Sequence, residues 1–152
     1  MKLREWEPRI DPSSVRVGIA VSDFNQAVTN RLLEGALSYL ERVGVQQVEV
    51  LRVAGAWELP LAAATLFKDG CHGVIAVGAV IKGETDHYEV IVRESAAGLT
   101  QASLMAGRPL GNAVLAAHDL TQALARSEPG PANKGAEAAA AMVDLVCKVG
   151  ST

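Results

Sequence analysis

The chain has 152 residues and a mass of 15.9 kDa, which is the size of one ordinary domain. Its 14 basic and 17 acidic side chains give a net charge of −3, so it lacks the basic excess that nucleic-acid binding requires. Hydrophobic residues make up 49% of the chain and charged residues 20%, a composition that supplies a packed core and excludes intrinsic disorder.

The chain divides by composition into residues 1–14, predicted to be an N-terminal arm, and residues 15–152, predicted to be a single domain. The arm holds an isolated Trp6, which we expect to dock against its own domain or a neighbouring subunit. It has no apolar segment of the kind that directs secretion, and no apolar run approaches the roughly 20 residues of a membrane helix. Cys71 and Cys147 lie far apart, and free thiols are typical of a reducing compartment. We therefore expect a cytoplasmic protein.

Short apolar runs alternate with stretches of helical periodicity along the predicted domain. The predicted strands are Val15–Val21, Val48–Val53, Gly73–Val80 and Leu110–Ala116. The predicted helices are Gln26–Val43, Glu58–Asp69, His87–Ala106, Leu120–Arg126 and Lys134–Lys148. This alternation predicts an α/β protein with a parallel four-stranded sheet covered on both faces, and a ligand at the carboxyl ends of its strands.

The loops after the first three strands contain three of the chain's six aromatic residues, Phe24, Trp57 and Tyr88. In a chain so poor in aromatics, this placement favours a ligand with a flat ring that stacks. The alternative is that the rings only cover the end of the sheet.

The third of these loops is the most informative. Gly83 allows a ligand to approach the backbone, and Thr85 or Asp86 can cap the next helix, with Glu89 completing a capping box if Asp86 is the cap. Free backbone amides at such a helix start bind phosphate. His87 in the first turn can transfer protons near neutral pH, although a lone histidine there is also compatible with a structural role.

Other candidates are weaker. The two remaining histidines, His72 and His118, have no metal-ligand spacing, so we predict no metal site. The phosphate-loop and dinucleotide fingerprints and the nucleophile elbow are absent from the sequence. Arg126 and Lys134 flank a Pro/Gly loop, where they either grip an anionic substrate or serve as a helix-end cation and a solvated lysine.

Four blocks of the sequence, in order and at family spacing, resemble the lumazine synthase family of riboflavin biosynthesis. They are Phe24-Asn25, the segment from Gly55 to Pro60, the segment from Gly78 to Tyr88, and Asn133-Lys134-Gly135. The resemblance implies a flavodoxin-like three-layer α/β/α sandwich. It also implies condensation of 5-amino-6-(ribitylamino)uracil with 3,4-dihydroxy-2-butanone 4-phosphate to 6,7-dimethyl-8-ribityllumazine, phosphate and water, without metal or organic cofactor.

The resemblance also implies roles for individual residues. His87 moves protons; the ring and ribityl chain are bound by Phe24, Ala56, Trp57, Glu58, Ala79, Val80 and Ile81. The phosphate is received by Gly83, Glu84 and Thr85, with Arg126 of the neighbouring subunit. Lys134 and Glu137 lie near the shared site, and Asn112 stands where many members carry Phe, which makes the neighbour's face of the pocket more polar.

Family members form pentamers with active sites between subunits, and some assemble a sixty-subunit icosahedral shell. The resemblance thus implies a homo-oligomer, with a riboflavin synthase as a further partner. The eight-residue step from Arg126 to Lys134 is compact, which favours the shell. Three alternatives stay open: a riboflavin synthase of the archaeal kind, a non-catalytic flavin-binding or shell-forming module, and a flavodoxin-type electron carrier.

Overall fold

The computed structural model of the chain describes residues 1–150, so the last two residues of the predicted domain lie outside the described residues. Its strands are β1 (Arg16–Ser22), β2 (Gln47–Val53), β3 (Gly73–Ile81) and β4 (Leu110–Ala117). Its α-helices are α1 (Gln26–Arg42), α2 (Leu59–Lys68), α3 (His87–Ala106), α4 (Leu120–Arg126) and α5 (Lys134–Val149). Two short 3-10 helices, Pro12–Ser14 and Ala56–Glu58, precede β1 and α2.

The four strands form one all-parallel sheet in the order β2-β1-β3-β4. The chain moves outward from β1 to β2 and then crosses back to β3 on the other side of β1. The carboxyl ends of β1 and β3 therefore mark the point where the strand order switches, which is where open α/β sheets bind ligands. The predicted three-layer, flavodoxin-like sandwich is confirmed.

Side chains alternate between the two faces of the sheet, because successive residues of a strand point to opposite sides. Val17, Ile19 and Val21 of β1 pack with α1 and α5 in one core, which also includes Ala123 of α4. Ala20 of β1 packs with α2 and α3 in the second core. Burial on both faces explains why β1 and β3 are continuous apolar runs in the sequence.

The predicted elements are all present, with ends that coincide or differ by one residue. One correction concerns the start of the second helix, which we expected at Glu58. Residues 56–58 instead form a 3-10 turn, and α2 begins at Leu59 with Pro60 in its first turn. A proline suits that position because the first N–H groups of a helix have no intrahelical partner.

Helix α3 leaves most of its surface exposed. Only three of its 20 residues are buried, Ser95, Leu99 and Ala102. Three large apolar side chains on the same helix, Val90, Leu104 and Met105, are exposed. An amphipathic helix normally buries its apolar stripe, so α3 presents an apolar surface to the outside of the chain.

The segment predicted to be an arm is tied to the end of α5. The N–H groups of Arg9 and Ile10 donate to the carbonyl of Cys147 over 2.7 and 3.2 Å. The Trp6 ring is half exposed, with the guanidinium groups of Arg4 and Arg9 each 5.1 Å from its centroid. The ring therefore contacts the arm's own cations through cation–π interactions. The division into an arm and one domain stays a prediction.

Candidate active site

A cavity of about 460 Å³ opens at the carboxyl ends of β1, β2 and β3. This volume suits a single small-molecule ligand. Its walls come from the three loops singled out in the sequence, and from the first turns of α3. The lining residues are Phe24, Ala54, Gly55, Ala56, Trp57, Glu58, Ala79, Val80, Ile81, Gly83, Thr85, His87, Tyr88 and Ile91.

The first wall is the loop between β1 and α1. The N–H of Phe24 donates to the carbonyl of Ala54 over 3.2 Å, which ties this loop to the one after β2. Asn25 adopts a left-handed conformation with φ of 61°, and its side-chain amide donates to the carbonyl of Ala79 over 3.4 Å. These bonds fix the backbone on both sides of Phe24, whose ring is 66% exposed at the cavity rim.

The second wall is the 3-10 turn between β2 and α2. Buried Ala56 and Leu59 anchor the turn from below, and the N–H of Glu58 donates to the carbonyl of Gly55 over 3.2 Å. The two residues between the anchors face outward: the Trp57 ring is 58% exposed, and the Glu58 carboxylate is exposed with no hydrogen-bond partner among residues 1–150. Glu58 is thus available to accept hydrogen bonds from hydroxyl groups of a ligand.

The third wall is the end of β3 with the loop that leads into α3. Within the described part of the chain, the N–H groups of Gly83, Glu84 and Thr85 donate no hydrogen bond. All three residues are exposed, and a Cβ on Gly83 would meet no protein atom within 4 Å. Free amides beside a helix start suit an anionic ligand, because N–H groups and the positive end of a helix dipole both favour negative charge.

His87 is the first residue of α3 and lies at the edge of that loop. Its imidazole lines the cavity, is exposed, and makes no hydrogen bond to residues 1–150. Of the two predicted caps, Asp86 with its capping box is not the one observed, because the Asp86 side chain accepts from no N–H group. The hydroxyl of Thr85 instead accepts from the His87 N–H over 3.4 Å. An uncommitted imidazole beside an anion site can exchange protons with a bound substrate.

Four predicted site residues lie outside this cavity. Glu84 is in the loop, but its exposed side chain does not line the pocket. Arg126 ends α4 and is exposed, and Lys134 binds Glu137 over 2.8 Å at the start of α5. Asn112 lies on the edge strand β4, where its Oδ1 accepts from the Val114 N–H over 2.9 Å. A single chain therefore brings together the predicted ring-binding and proton-transfer groups without the predicted contributions of Asn112, Arg126 and Lys134.

Four lining residues were not among the predicted site residues: Ala54, Gly55, Tyr88 and Ile91. Three of them belong to the loops that we expected to bind the ligand. Ile91 has a signal of its own, because it lies four residues after His87 and residues i and i+4 share a helix face.

The groups with shifted pKa values lie at the opposite end of the sheet. Burial and the nearby Glu49 raise the pKa of the Cys71 thiol to about 12. The Arg16 guanidinium, bound to Glu49 over 2.7 Å, lowers the pKa of that carboxyl, and burial lowers the pKa of His72. Since Arg16 begins β1 and the cavity lies beyond its end, this cluster braces the amino-terminal end of the sheet.

Within residues 1–150, no group of three or more His, Cys, Asp or Glu side chains is placed to hold a metal ion. No helix of the same residues has both the length and the apolar character to cross a bilayer. Both cysteines are buried and free.

Comparison with known proteins matches residues 14–149 to the family described as 6,7-dimethyl-8-ribityllumazine synthase. The chain is 38% identical over 149 residues to the protein of that name from Nitratidesulfovibrio vulgaris, covering 96% of both chains. It is 45% identical over 135 residues to the one from Levilactobacillus brevis, covering 87% of this chain and 86% of the other. With the one from Pyrococcus furiosus, identity is 35% over 145 residues, and coverage is 95% and 92%.

Proposed function

The chain belongs to the 6,7-dimethyl-8-ribityllumazine synthase family, and we propose that it catalyses the reaction of that name in riboflavin biosynthesis. In this reaction 5-amino-6-(ribitylamino)uracil condenses with 3,4-dihydroxy-2-butanone 4-phosphate and releases phosphate and water. The observation that carries the proposal is a single cavity that combines an exposed aromatic ring, a free carboxylate, unpaired backbone amides and an uncommitted imidazole.

The aromatic and carboxylate groups suit the first substrate. Phe24 stands at the rim with its ring exposed, where the pyrimidine ring stacks on it. The backbone of residues 56–57 and 79–81 borders the ring edge, and the Glu58 carboxylate accepts from ribityl hydroxyls. The β1–α1 loop is held by hydrogen bonds from Asp23, Phe24 and Asn25, so the stacking surface is largely formed before the substrate binds.

The third wall suits the phosphorylated ketone. Its phosphate binds at the free amides of Gly83, Glu84 and Thr85, and the exposed Glu84 side chain does not line the cavity. His87 follows within two residues of this site. It accepts the proton that the amine loses as it attacks the ketone, and returns a proton as water leaves the carbinolamine. A proton then leaves the carbon next to the imine carbon, and phosphate departs from the carbon beyond it. The resulting enol becomes a ketone, and the ribitylamino nitrogen attacks that carbonyl with loss of a second water, which closes the ring.

We infer that the functional unit is a homo-oligomer, a pentamer or a sixty-subunit shell of twelve pentamers. Arg126, Lys134 and Asn112 lie outside the cavity of their own chain, so in this proposal they serve the cavity of a neighbour. The exposed apolar face of α3 supports a subunit contact there. The eight-residue step from Arg126 to Lys134 favours the shell, within which a riboflavin synthase is the proposed partner.

Two buried, free thiols favour a reducing compartment, and we place the reaction in the cytoplasm. No metal or organic cofactor is part of the proposed chemistry, because an amine and a ketone condense when they are aligned. Alignment alone contributes several kcal/mol to the lowering of the barrier.

The test is to mix both substrates with the purified protein and to follow the lumazine chromophore together with phosphate release. We expect lumazine and phosphate to form in equal amounts, at a rate proportional to the enzyme concentration. Riboflavin formed from lumazine alone would favour the archaeal kind of riboflavin synthase instead. Flavin binding without turnover would favour the non-catalytic module.

A further inference from the structure

Asn133, which precedes α5, is 1% exposed and uses its whole side chain in hydrogen bonds. Its Oδ1 accepts from the Ala136 N–H over 3.1 Å and so caps the helix. Its Nδ2 lies within hydrogen-bond distance of three carbonyls, those of Arg31, Ser127 and Glu128, at 3.2, 3.0 and 3.1 Å, which share its two hydrogens. The amide orientation is unambiguous, because only the NH₂ group can face carbonyl oxygens.

These three carbonyls join two separate parts of the fold. Arg31 lies on α1, whereas Ser127 and Glu128 directly follow Arg126 at the end of α4. We call the set of hydrogen bonds from the Asn133 side chain to Arg31, Ser127, Glu128 and Ala136 the Asn133 clamp. Since α4 has seven residues and buries only Ala123, the clamp is the main polar connection that fixes its carboxyl end.

The backbone around the Asn133 clamp is so close that two neighbouring glycines could not carry a side chain. A Cβ on Gly35 of α1 would overlap the Asn133 side chain, and a Cβ on Gly135 would overlap the carbonyl of Leu32. The start of α5 therefore lies directly against α1. Buried Ser127 adds a bond of its own, from its hydroxyl to the carbonyl of Leu124 over 3.1 Å.

Arg126 itself is exposed, and its side chain makes no ion pair with residues 1–150. Its reach is thus determined by where its backbone is held. A guanidinium recognises phosphate through paired N–H donors in a fixed plane, an interaction sensitive to displacement of the backbone.

We propose that Asn133 is the positioning residue for Arg126: the clamp holds the end of α4 so that the guanidinium meets the phosphate of the ketone substrate. The inference rests on the proposed function, in which Arg126 binds that phosphate. It assigns a specific task to the first residue of the Asn133-Lys134-Gly135 block, beyond capping a helix.

Two substitutions distinguish the role of the Asn133 Nδ2 donor in the clamp from the role of its side-chain oxygen in capping α5. Asn133→Ser and Asn133→Asp both keep a side-chain oxygen that caps α5, and both remove the Nδ2 donor. Asn133→Asp also turns an oxygen toward three carbonyls, so it is the more severe change. The matched control is Val146→Ala, which opens a cavity in the same helix, at a residue 1% exposed and 13 positions along the chain from the clamp.

Steady-state kinetics with both substrates provide the readout. We expect Asn133→Ser to raise KM for the phosphorylated ketone about 10-fold, since displacements near 1 Å at a binding group have effects of that order or larger. KM for the ribitylaminouracil stays within about 2-fold, because Phe24 and Glu58 are on other elements. Val146→Ala lowers the unfolding midpoint and leaves both KM values unchanged.

A double variant distinguishes positioning from general loss of structure. In an Arg126→Ala background, Asn133→Ser has nothing left to position, so KM for the phosphorylated ketone does not rise further. Additive effects of the two substitutions would overturn the inference. So would an unchanged KM in Asn133→Ser while Arg126→Ala raises it.

Failure of the proposed function gives a different result. In that case the unmodified protein forms no lumazine, or Arg126→Ala leaves KM for the phosphorylated ketone unchanged. Should neither Asn133 variant fold, Gly35→Ala presses on the clamp from α1 and is expected to give the same selective rise in KM. Normal KM values in a folded Gly35→Ala protein would then overturn the inference.

Discussion

The backbone N–H of Arg16 donates a hydrogen bond to Nδ1 of His72 over 2.8 Å, which joins the start of β1 to the turn before β3. The imidazole can accept this bond only when Nδ1 carries no proton. Burial lowers the pKa of His72 below its usual 6.5, and the nearby guanidiniums of Arg108 and Arg16 lower it further. The folded chain thus holds His72 neutral.

Acid should therefore weaken the fold through His72. Because its pKa is lower in the folded state, the stability that it contributes is complete above the unfolded value of 6.5 and is lost as the pH falls through the lowered folded value. His72→Asn offers Arg16 an acceptor that does not titrate. We expect its urea midpoint to decline less than that of the unmodified chain between about pH 7 and about pH 5. Parallel declines would contradict this role, and His118→Asn, at an exposed histidine, is the control.

Ser22 should be replaceable without loss of stability. Its hydroxyl is buried at the end of β1 and is the one buried side-chain N or O atom of residues 1–150 without a hydrogen-bond partner. An unpaired buried hydroxyl costs about 1–3 kcal/mol, so Ser22→Ala is expected to leave the free energy of unfolding unchanged or to raise it. Ser127→Ala is the matched control, since that buried hydroxyl donates to Leu124 and its loss should cost about 1 kcal/mol. Urea unfolding compares the two, and a destabilised Ser22→Ala would refute the prediction.

His87→Ala should reduce turnover far more than it weakens substrate binding. The imidazole is free at the cavity edge, so its removal takes away proton transfer and leaves the stacking and phosphate-binding groups in place. We expect kcat to fall about 10²-fold or more, with KM values within a few-fold of the original. Stopped-flow absorbance of the lumazine provides the measurement, and His118→Ala, outside the cavity, is the control. A rise in KM alone would assign His87 to binding.

A mixed oligomer should recover activity if active sites are shared. His87→Ala and Arg126→Ala chains, each inactive or impaired alone, are unfolded and refolded together in equal amounts. Random assembly places two intact partners at about a quarter of the interfaces, so about a quarter of the sites recover. Activity equal to the average of the two parents, in oligomers shown by mass spectrometry to have mixed, would place both residues in the site of one subunit.

Most of the fold could be predicted, because the signals behind it are local. The apolar runs of β1 and β3 follow from burial on both faces, and α1 and α5 repeat buried residues at helical spacing. The end of α1 could also be predicted, because a glycine, Gly44, follows the helix. Gly44 adopts φ of 92°, a conformation that glycine takes easily. The strand order could not be predicted from the sequence, because hydrophobic periodicity carries no information about which strands are neighbours.

The features that the sequence did not reveal depend on residue types that occur in several backbone and side-chain geometries. Aspartate is a residue type that often caps helices. Asp86, however, already has a helical backbone, and its carboxylate accepts no hydrogen bond from the first N–H groups of α3. The Asn133 clamp was invisible in the sequence because its partners are main-chain carbonyls, one of them 102 residues away. Backbone acceptors leave no compositional signal, so a fully bonded asparagine and a solvated one look alike in a sequence.

The open face of α3 has a consequence for how the protein behaves on dilution. A separated chain retains both cores and all four strands, yet it places Leu104 and Met105 in water and has only its own half of the proposed site. By mass action, catalytic rate and folded structure are then lost at different protein concentrations, although they usually decline together. As concentration falls, catalytic rate per chain should drop first, while far-ultraviolet circular dichroism still reports a folded backbone. The proposed homo-oligomer with shared sites therefore predicts a specific activity that depends on protein concentration.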